Sequence, residues 1–275
     1  MSMIAASRRE MQASYAFIER NFNLSKRYFG WEIVFMVYSV VQALSILYIG
    51  AAEGAGATAR GRTLILYLAI GALVWSYLST VFEAISETIT WERWEGTIEY
   101  TLMAPVSRVT HLVGSSIFSV TYSLLRTVLI LAILGLFFHI DLSHANPLSS
   151  LVVVVLSSFS FMGIGIMAAT LPLLYTERGA QMTYVISSGL LLISGVYYPV
   201  SVLPNWMQLL SVVSPANYAL QAIRAAVMQG AGLGSIWPSL WPLVVIGGVT
   251  IPLGFAVFLR AERFAKRTGR LKRNG

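Results

Sequence analysis

Four carboxylates, Glu87, Glu92, Glu95 and Glu99, crowd into one polar stretch between Ser86 and Thr110. Paired carboxylates serve general acid–base catalysis or metal binding, and both uses need suitable partners close by. This chain supplies few. His111, His139 and His144 sit at the ends of apolar runs or in a loop, no His-Glu-x-x-His pattern occurs, and there is no cysteine to form a disulfide or a thiolate site. A Gly-x-Ser-x-Gly nucleophile elbow is also missing. A phosphate-cradling loop ends in Gly-Lys-Ser/Thr, yet the only lysines are Lys26, Lys266 and Lys272, and none follows a glycine. The chain is therefore not itself a P-loop ATPase. Its carboxylates read better as a surface for another molecule than as catalysts.

The elements that hold these residues are set by a lipid solvent. Of 275 residues, 56% are hydrophobic and only 11% charged, with a mean hydropathy of +0.71; soluble domains carry about 25% charged residues. A net charge of +7 suggests nucleic acid only when the basic residues form a patch. Here they gather at the two ends of the chain, which suits anionic headgroups and excludes nucleic acid as a partner. The first apolar run follows a charged segment and has no small-residue cleavage site, so it reads as a retained span and not as a signal peptide.

A span needs about 20 apolar residues. Such runs cover Gly30–Ile49, Thr63–Ile85, His111–Phe138, Leu148–Leu171, a shorter Ala180–Val196, and Ser239–Leu259. With six crossings, fifteen Lys and Arg residues fall on the side of both termini and three (Arg60, Arg62, Arg224) on the other. The positive-inside rule then places both termini in the cytoplasm of a plasma (inner) membrane. Residues 1–29 place Met11, Tyr15, Ile18 and Phe22 on one helical face, the pattern of an amphipathic helix in the interface. The expected fold is thus an all-α integral membrane protein. Its parts are an interfacial segment (1–29), a six-helix membrane domain (30–259) with a polar loop at 86–110, and a basic tail (260–275).

The run from Leu209 to Met228 is broken by Pro215, Asn217 and Arg224. A seventh span there would send the basic tail outside, and the preceding run is only about 25 Å long as a helix. Residues 197–230 therefore read as a re-entrant pair of short helices dipping into the outer leaflet, packed against protein. Tyr197, Tyr198, Trp206 and Tyr218 fall at this end, either as an aromatic belt or as a hydrophobic plug on a pathway; Pro199, Leu203, Pro204 and Pro215 punctuate the segment. Arg126 is the sole charge well inside a span, about 22 Å from His111, too far for Glu83 near the other end. It either snorkels, binds a carbonyl of the re-entrant segment, or faces an anionic substrate.

In the polar loop, helix is expected to continue to Trp94. Gly96 allows a turn, Thr97 can cap a new helix, and Pro105 ends it. Trp91, Trp94, Ile98 and Leu102 fall near one face, and Glu92, Glu95 and Glu99 form another. A short helix with both surfaces is a docking element, since carboxylates are repelled by an anionic leaflet.

Glu92-Arg93-Trp94-Glu95-Gly96-Thr97-Ile98-Glu99, followed by Ala104-Pro105-Val106-Ser107-Arg108, resembles the cytoplasmic coupling segment of type-2 ATP-binding-cassette exporter permeases. Ser194-Gly195-Val196-Tyr197-Tyr198-Pro199 with Leu203-Pro204, then Ser214-Pro215-Ala216-Asn217-Tyr218-Ala219-Leu220 and Arg224, resembles that family's re-entrant segment. The resemblance covers the whole chain. It implies a permease paired with a second copy or a paralogue, bound to two separate ATPase subunits. ATP and magnesium would be held by those subunits, with no cofactor on this chain. It implies export of drugs, lipids, lipid-linked glycans or other amphipathic substrates, with Glu92, Arg93, Glu95, Gly96, Thr97, Glu99, Pro105 and Arg108 at the coupling contact. Two other readings remain. A stand-alone secondary transporter or channel calls for mid-membrane carboxylates, but Glu32 and Glu83 lie near span ends; a membrane enzyme calls for clustered His, Asp or Glu at a membrane face.

Overall fold

The computed structural model describes residues 3–52, 59–138 and 142–269. His139, the middle of the loop expected at 50–62, and Arg270, Lys272 and Arg273 of the tail lie outside those residues. The described chain is helical: α1 (Met3–Arg27), α2 (Phe29–Ala52), α3 (Ala59–Glu95), α4 (Ile98–Met103), α5 (Arg108–Phe138), α6 (Pro147–Ala168), α7 (Thr170–Leu174), α8 (Gly179–Ile193), a 3₁₀ turn (Val200–Val202), α9 (Asn205–Ser211), α10 (Pro215–Met228) and α11 (Leu233–Arg267). Five of these helical stretches, those built on α2, α3, α5, α6 with α7, and α11, are long and apolar enough to cross a bilayer.

Large apolar side chains stay on the outside of the bundle, among them Val34, Val37 and Val41 of α2 and Leu125, Val128 and Leu136 of α5. Water would not tolerate so much exposed apolar surface, whereas hydrocarbon does. Several hydroxyls in the spans are satisfied from within: Ser45, Thr80, Thr88, Ser119 and Thr127 each donate to the carbonyl four residues back. The chain is an all-α integral membrane protein.

α3 is the central element. At about 55 Å it exceeds the hydrocarbon thickness, and it packs on α2, α5, α6, α7, α8 and α10. Three buried clusters are strung along it. Ala69 and Leu73 join Leu47 of α2 and Leu134 of α5; Tyr77, Leu78 and Phe82 join α6, α10 and α11; Ile85 and Ile89 join Ile98 and Leu102 of α4 and Phe258 of α11. The helix runs unbroken through Trp94, as the sequence suggests.

α6 and α11 approach closely at Gly163, where a Cβ would lie 2.3 Å from Thr250 Oγ1 and 2.5 Å from the Thr250 carbonyl carbon. A small residue is what lets the two backbones come this close. α6 starts at a real cap, with Asn146 Oδ1 accepting from Ser149 N at 3.0 Å and Pro147 in the first turn. α11 carries helix through Arg267, beyond the end of its apolar run at Leu259. Hydropathy marks the lipid boundary there, not the helix end.

α1 lies against the start of α5. A Cβ on Gly114 would meet the Ser14 carbonyl oxygen at 2.7 Å, and the Phe17 and His111 rings sit 4.6 Å apart. Met11, Tyr15 and Phe22 face away from the bundle and stay exposed. Most of the apolar face read from the sequence is thus free, and a separate strip through Ser14, Phe17 and Asn21 meets the protein.

α8 runs antiparallel to α3. Thr183 meets Ser86 at 2.8 Å, Ser187 meets Glu83 at 2.7 Å, and the Val196 carbonyl closes on Gly71, where a Cβ would be 2.2 Å away. Gly71 is about 18 Å along α3 from Ala59. At that depth the chain leaves, forms the 3₁₀ turn and α9, and returns so that the Ser194 and Ser214 hydroxyls lie 2.7 Å apart. α10 then packs among α3, α6 and α11.

Candidate functional site

Two features stand out, the α3–α4 corner and a large cavity beside α3. At the corner, Gly96 takes φ +73, and the Thr97 amide reaches back to the Glu92 carbonyl at 2.9 Å. A side chain at φ > 0 would be strained, so glycine makes the turn. Thr97 occupies the cap position of α4 but makes no side-chain cap; its hydroxyl points to the Glu92 carbonyl at 3.4 Å. The expectation of a threonine cap is corrected on this point. α4 ends where Ala104, preceding Pro105, turns extended at ψ 143.

The faces also divide differently from the sequence reading. Ile98 and Leu102 are buried, each contributing about 1.5–3 kcal/mol, while Trp91, Trp94, Glu95, Glu99, Tyr100 and Met103 are exposed. Tyr100 and Met103 escaped the sequence reading, although Met103 lies at helical spacing from both Glu99 and Tyr100. Glu92 and Arg93, expected on the docking surface, are buried at 0% and 2% exposure. Glu92 holds Arg20 of α1 at 2.5 Å, with His111 Nε2 of α5 at 3.2 Å. Arg93 donates to Thr176, in the α7–α8 connection. A residue at the meeting point of three helices cannot also present its carboxylate outward, so the acidic surface narrows to Glu95 and Glu99.

Arg108 fastens the far end of α4. Its Nε lies 3.0 Å from Glu262 Oε1 of α11, its Nη1 donates to the Thr101 carbonyl at 2.8 Å, and its Nη2 donates to the Leu102 carbonyl. One planar fork thus satisfies two orphan carbonyls at a helix end and ties them to α11. Lys266 shares the same Glu262 oxygen at 2.7 Å.

The cavity, about 860 Å³, opens between α1, α2, α3, α5 and α8. α3 presents to it a stripe at three- and four-residue spacing: Ser76, Thr80, Glu83, Glu87, Trp91 and Glu95. Glu83 accepts from Ser187 at 2.7 Å, Glu87 accepts from Tyr184 at 3.0 Å, and Glu32 of α2 accepts from Tyr122 of α5. Hydroxyls therefore serve these three carboxylates, and among the described residues none of the three forms an ion pair. Glu32 and Glu83, read from the sequence as residues at span ends, share this one cavity. Among the described residues, no group of three or more such side chains could hold a metal ion.

Arg126 also lines the cavity. Its Nη2 donates to the Phe35 carbonyl at 2.8 Å and to Ser39 Oγ at 2.6 Å, both on α2, and its buried Nε has no hydrogen-bond partner. The carbonyl it finds is in the first span and not in the segment at 197–230.

In that segment Arg224 is the anchor. It donates to the Gly195 carbonyl at 3.1 Å and the Val196 carbonyl at 2.6 Å, with its guanidinium 3.5 Å from the Tyr67 ring centroid. The four aromatic side chains go separate ways. Tyr197 lines the cavity, Tyr198 donates to the Leu192 carbonyl at 2.6 Å, Tyr218 donates to the Val212 carbonyl at 2.8 Å, and Trp206 is exposed. Leu203 and Pro204 open α9, with the Leu203 carbonyl held by Gln208 at 2.7 Å, while Pro199 precedes the 3₁₀ turn and Pro215 starts α10. Arg224 is the residue here that the sequence reading underweighted; an arginine inside an apolar run was its signal.

Comparison with known proteins agrees with this architecture. The family described as ABC-2 type transporter matches residues 14–228, which run from α1 to the end of α10. A probable multidrug ABC transporter permease, YbhR of Escherichia coli (strain K12), is 26% identical over 170 residues, covering 62% of this chain and 45% of the relative. The same protein from Escherichia coli O157:H7 matches to the same extent. The chain therefore spans less than half the length of these curated relatives. With a family match over most of the helical bundle, this chain belongs to the ABC-2 type transporter family.

Proposed function

We propose that the chain is the permease subunit of an ABC exporter, moving an amphipathic substrate (drug, lipid or lipid-linked glycan) out of the cytoplasm or inner leaflet. The observation that carries this reading is the construction of α4. A six-residue helix with an outward face of Glu99, Tyr100 and Met103 is clamped to α11 through Arg108–Glu262 and follows α3, the longest wall of the cavity, after only the two-residue turn at Gly96 and Thr97. A force applied to α4 is delivered to α3 through that short turn.

On this reading two separate ATPase subunits, which hold ATP and magnesium, receive α4 in a cleft, with Glu95 and Glu99 at the contact. Their closed and open forms bind α4 differently, and that difference shifts the permease between states. A second copy or a paralogue completes the pathway. On this reading both termini and α4 lie on the cytoplasmic side of the plasma membrane, an orientation supported by the excess of Lys and Arg on that side. α8 supplies a sixth crossing, and its shortness is offset by the segment at 197–230, which re-enters from the outer side and meets α8 at Gly195–Val196. α1 lies in the interface with Met11, Tyr15 and Phe22 in lipid. The test is Glu95→Arg and Glu99→Arg in a reconstituted complex with the ATPase subunits. Lost assembly or lost substrate-stimulated ATP turnover supports the reading, and wild-type behaviour of both variants sinks it.

A second reading gains one specific observation. Glu32, Glu83 and Glu87 share a cavity, and intramembrane carboxylates also serve ion-coupled transport without an ATPase. Substrate uptake into vesicles holding the purified chain alone, driven by an ion gradient, would establish that rival. Its absence, together with uptake once ATPase subunits and ATP are added, removes it.

A further inference from the structure

The cavity has a charge and a texture that select its occupant. Its volume, about 860 Å³, lies in the range of clefts that enclose drug-sized molecules, far above what an inorganic ion needs. Glu83 and Glu87 stand four residues apart on one face of α3, an arrangement that repels itself along a helix. Glu32 is added from the facing α2. Carboxylates are expensive within a bilayer and occur where a path or ligand requires them. Each of these three accepts one hydroxyl hydrogen bond, which leaves further lone pairs directed at whatever enters.

The positive charges in the same walls are already engaged. Arg20 is paired with the buried Glu92, and Arg126 is spread over the Phe35 carbonyl and Ser39. Glu83, Glu87 and Glu32, with Glu95 at the α4 end, thus face one guanidinium that among the described residues has no carboxylate partner. Aromatic faces fill much of the remaining wall. Tyr28 stacks on Trp91 at 6.0 Å near the α4 end, and Trp31, Phe118 and Tyr184 continue around it. Rings attract cations through their π faces and accommodate apolar bodies.

We propose that this cavity binds amphipathic organic cations, with Glu83, Glu87 and Glu32 as counter-charge and the Tyr28–Trp91 pair as an aromatic wall. The proposal rests on the export-permease reading and names the substrate class for it. An anionic lipid or glycan phosphate would meet net repulsion in this part of the pathway.

The experiment uses two ions of nearly equal shape and opposite charge, tetraphenylphosphonium and tetraphenylborate. The full chain is placed in phosphatidylcholine nanodiscs, and binding is followed by tryptophan quenching against empty nanodiscs. The expected result is saturable binding of tetraphenylphosphonium only. Its affinity falls at least tenfold in Glu83→Gln/Glu87→Gln and is unchanged in Glu19→Gln, an exposed carboxylate of α1. Tetraphenylborate bound as tightly as the cation by the wild-type chain overturns the proposal without recourse to any variant. So does an unaltered cation affinity in the folded double variant. Because binding is read without ATPase subunits, failure here leaves the permease reading intact. Failure of the Glu95→Arg and Glu99→Arg test leaves this one intact.

Discussion

Arg20 and Glu92 are 72 residues apart in the chain and 2.5 Å apart in the structure, joining the outlying helix α1 to the last turns of α3. The carboxylate is fully buried and His111 Nε2 lies 3.2 Å from the same oxygen, so α1, α3 and α5 meet at one atom. Removing one member of a buried ion pair leaves the other uncompensated. Arg20→Ala leaves the fully buried Glu92 carboxylate without its arginine and is therefore expected to destabilise the protein by about 3 kcal/mol, seen as a lower unfolding midpoint in detergent. Glu92→Ala leaves Arg20, which is one-third exposed and can recover water, so it is expected to cost less. Equal midpoints for Arg20→Ala and wild type would show that the buried pair contributes nothing.

Arg108 acts differently, because it holds a helix end as well as a carboxylate. Arg108→Lys retains the charge but cannot reach Glu262 and both carbonyls of α4 at once. The expected outcome is an assembled complex whose substrate-stimulated ATP turnover falls several-fold while basal turnover is kept. Loss of assembly instead would mean that Arg108 shapes the docking surface itself.

A good part of this architecture can be read from the chain. Apolar runs of span length are a strong signal in lipid, and the boundaries of α4 follow from Gly96 and Pro105. What could not be read depends on which helices face each other. Glu92, Glu95 and Glu99 share a helical periodicity that says nothing about α1 covering the first and leaving the other two free. The cavity is a similar case. The Ser76–Thr80–Glu83–Glu87–Trp91 stripe is present in the sequence at helical spacing, but Glu32, Tyr122 and Tyr184 come from three other helices. Measured along the apolar run alone, Glu83 looked like an end residue, because the run stops long before α3 does.

Gly71 offers a test of the contact between α3 and the segment after α8. A Cβ there would lie 2.2 Å from the Val196 carbonyl oxygen and 3.1 Å from Arg224 Nη2, and backbone has little room to yield. Gly71→Ala is expected to destabilise by about 1–3 kcal/mol, the usual cost of overpacking. Gly248→Ala, where a Cβ meets nothing within 4 Å, serves as the control and is expected to be neutral or slightly stabilising. Thermal unfolding of both variants side by side decides it, and equal midpoints would mean that the two segments do not touch as described.

Arg224 bears on whether that segment is held or free. Its guanidinium spans two successive carbonyls, at Gly195 and Val196, while lying over Tyr67 of α3. Those carbonyls sit where the chain has left helical geometry, with Gly195 at φ +67, and so have no helical donors of their own. In lipid, backbone left unsatisfied costs several kcal/mol, so the arginine closes the break that lets the chain turn at that depth. Lysine offers a point charge without the planar fork or the stacking surface. Arg224→Lys is expected to release the turn while leaving α10 in place, because the buried face of α10 is made of Ala216, Ala219, Ala222 and Ala226 packed on its neighbours. The measurement is amide hydrogen exchange. Protection is expected to drop at least tenfold across residues 194–203 and to stay unchanged across 216–226. Unchanged protection in the first window would show that the turn is held by its own packing, and parallel loss in both would show that Arg224 supports α10 as a whole.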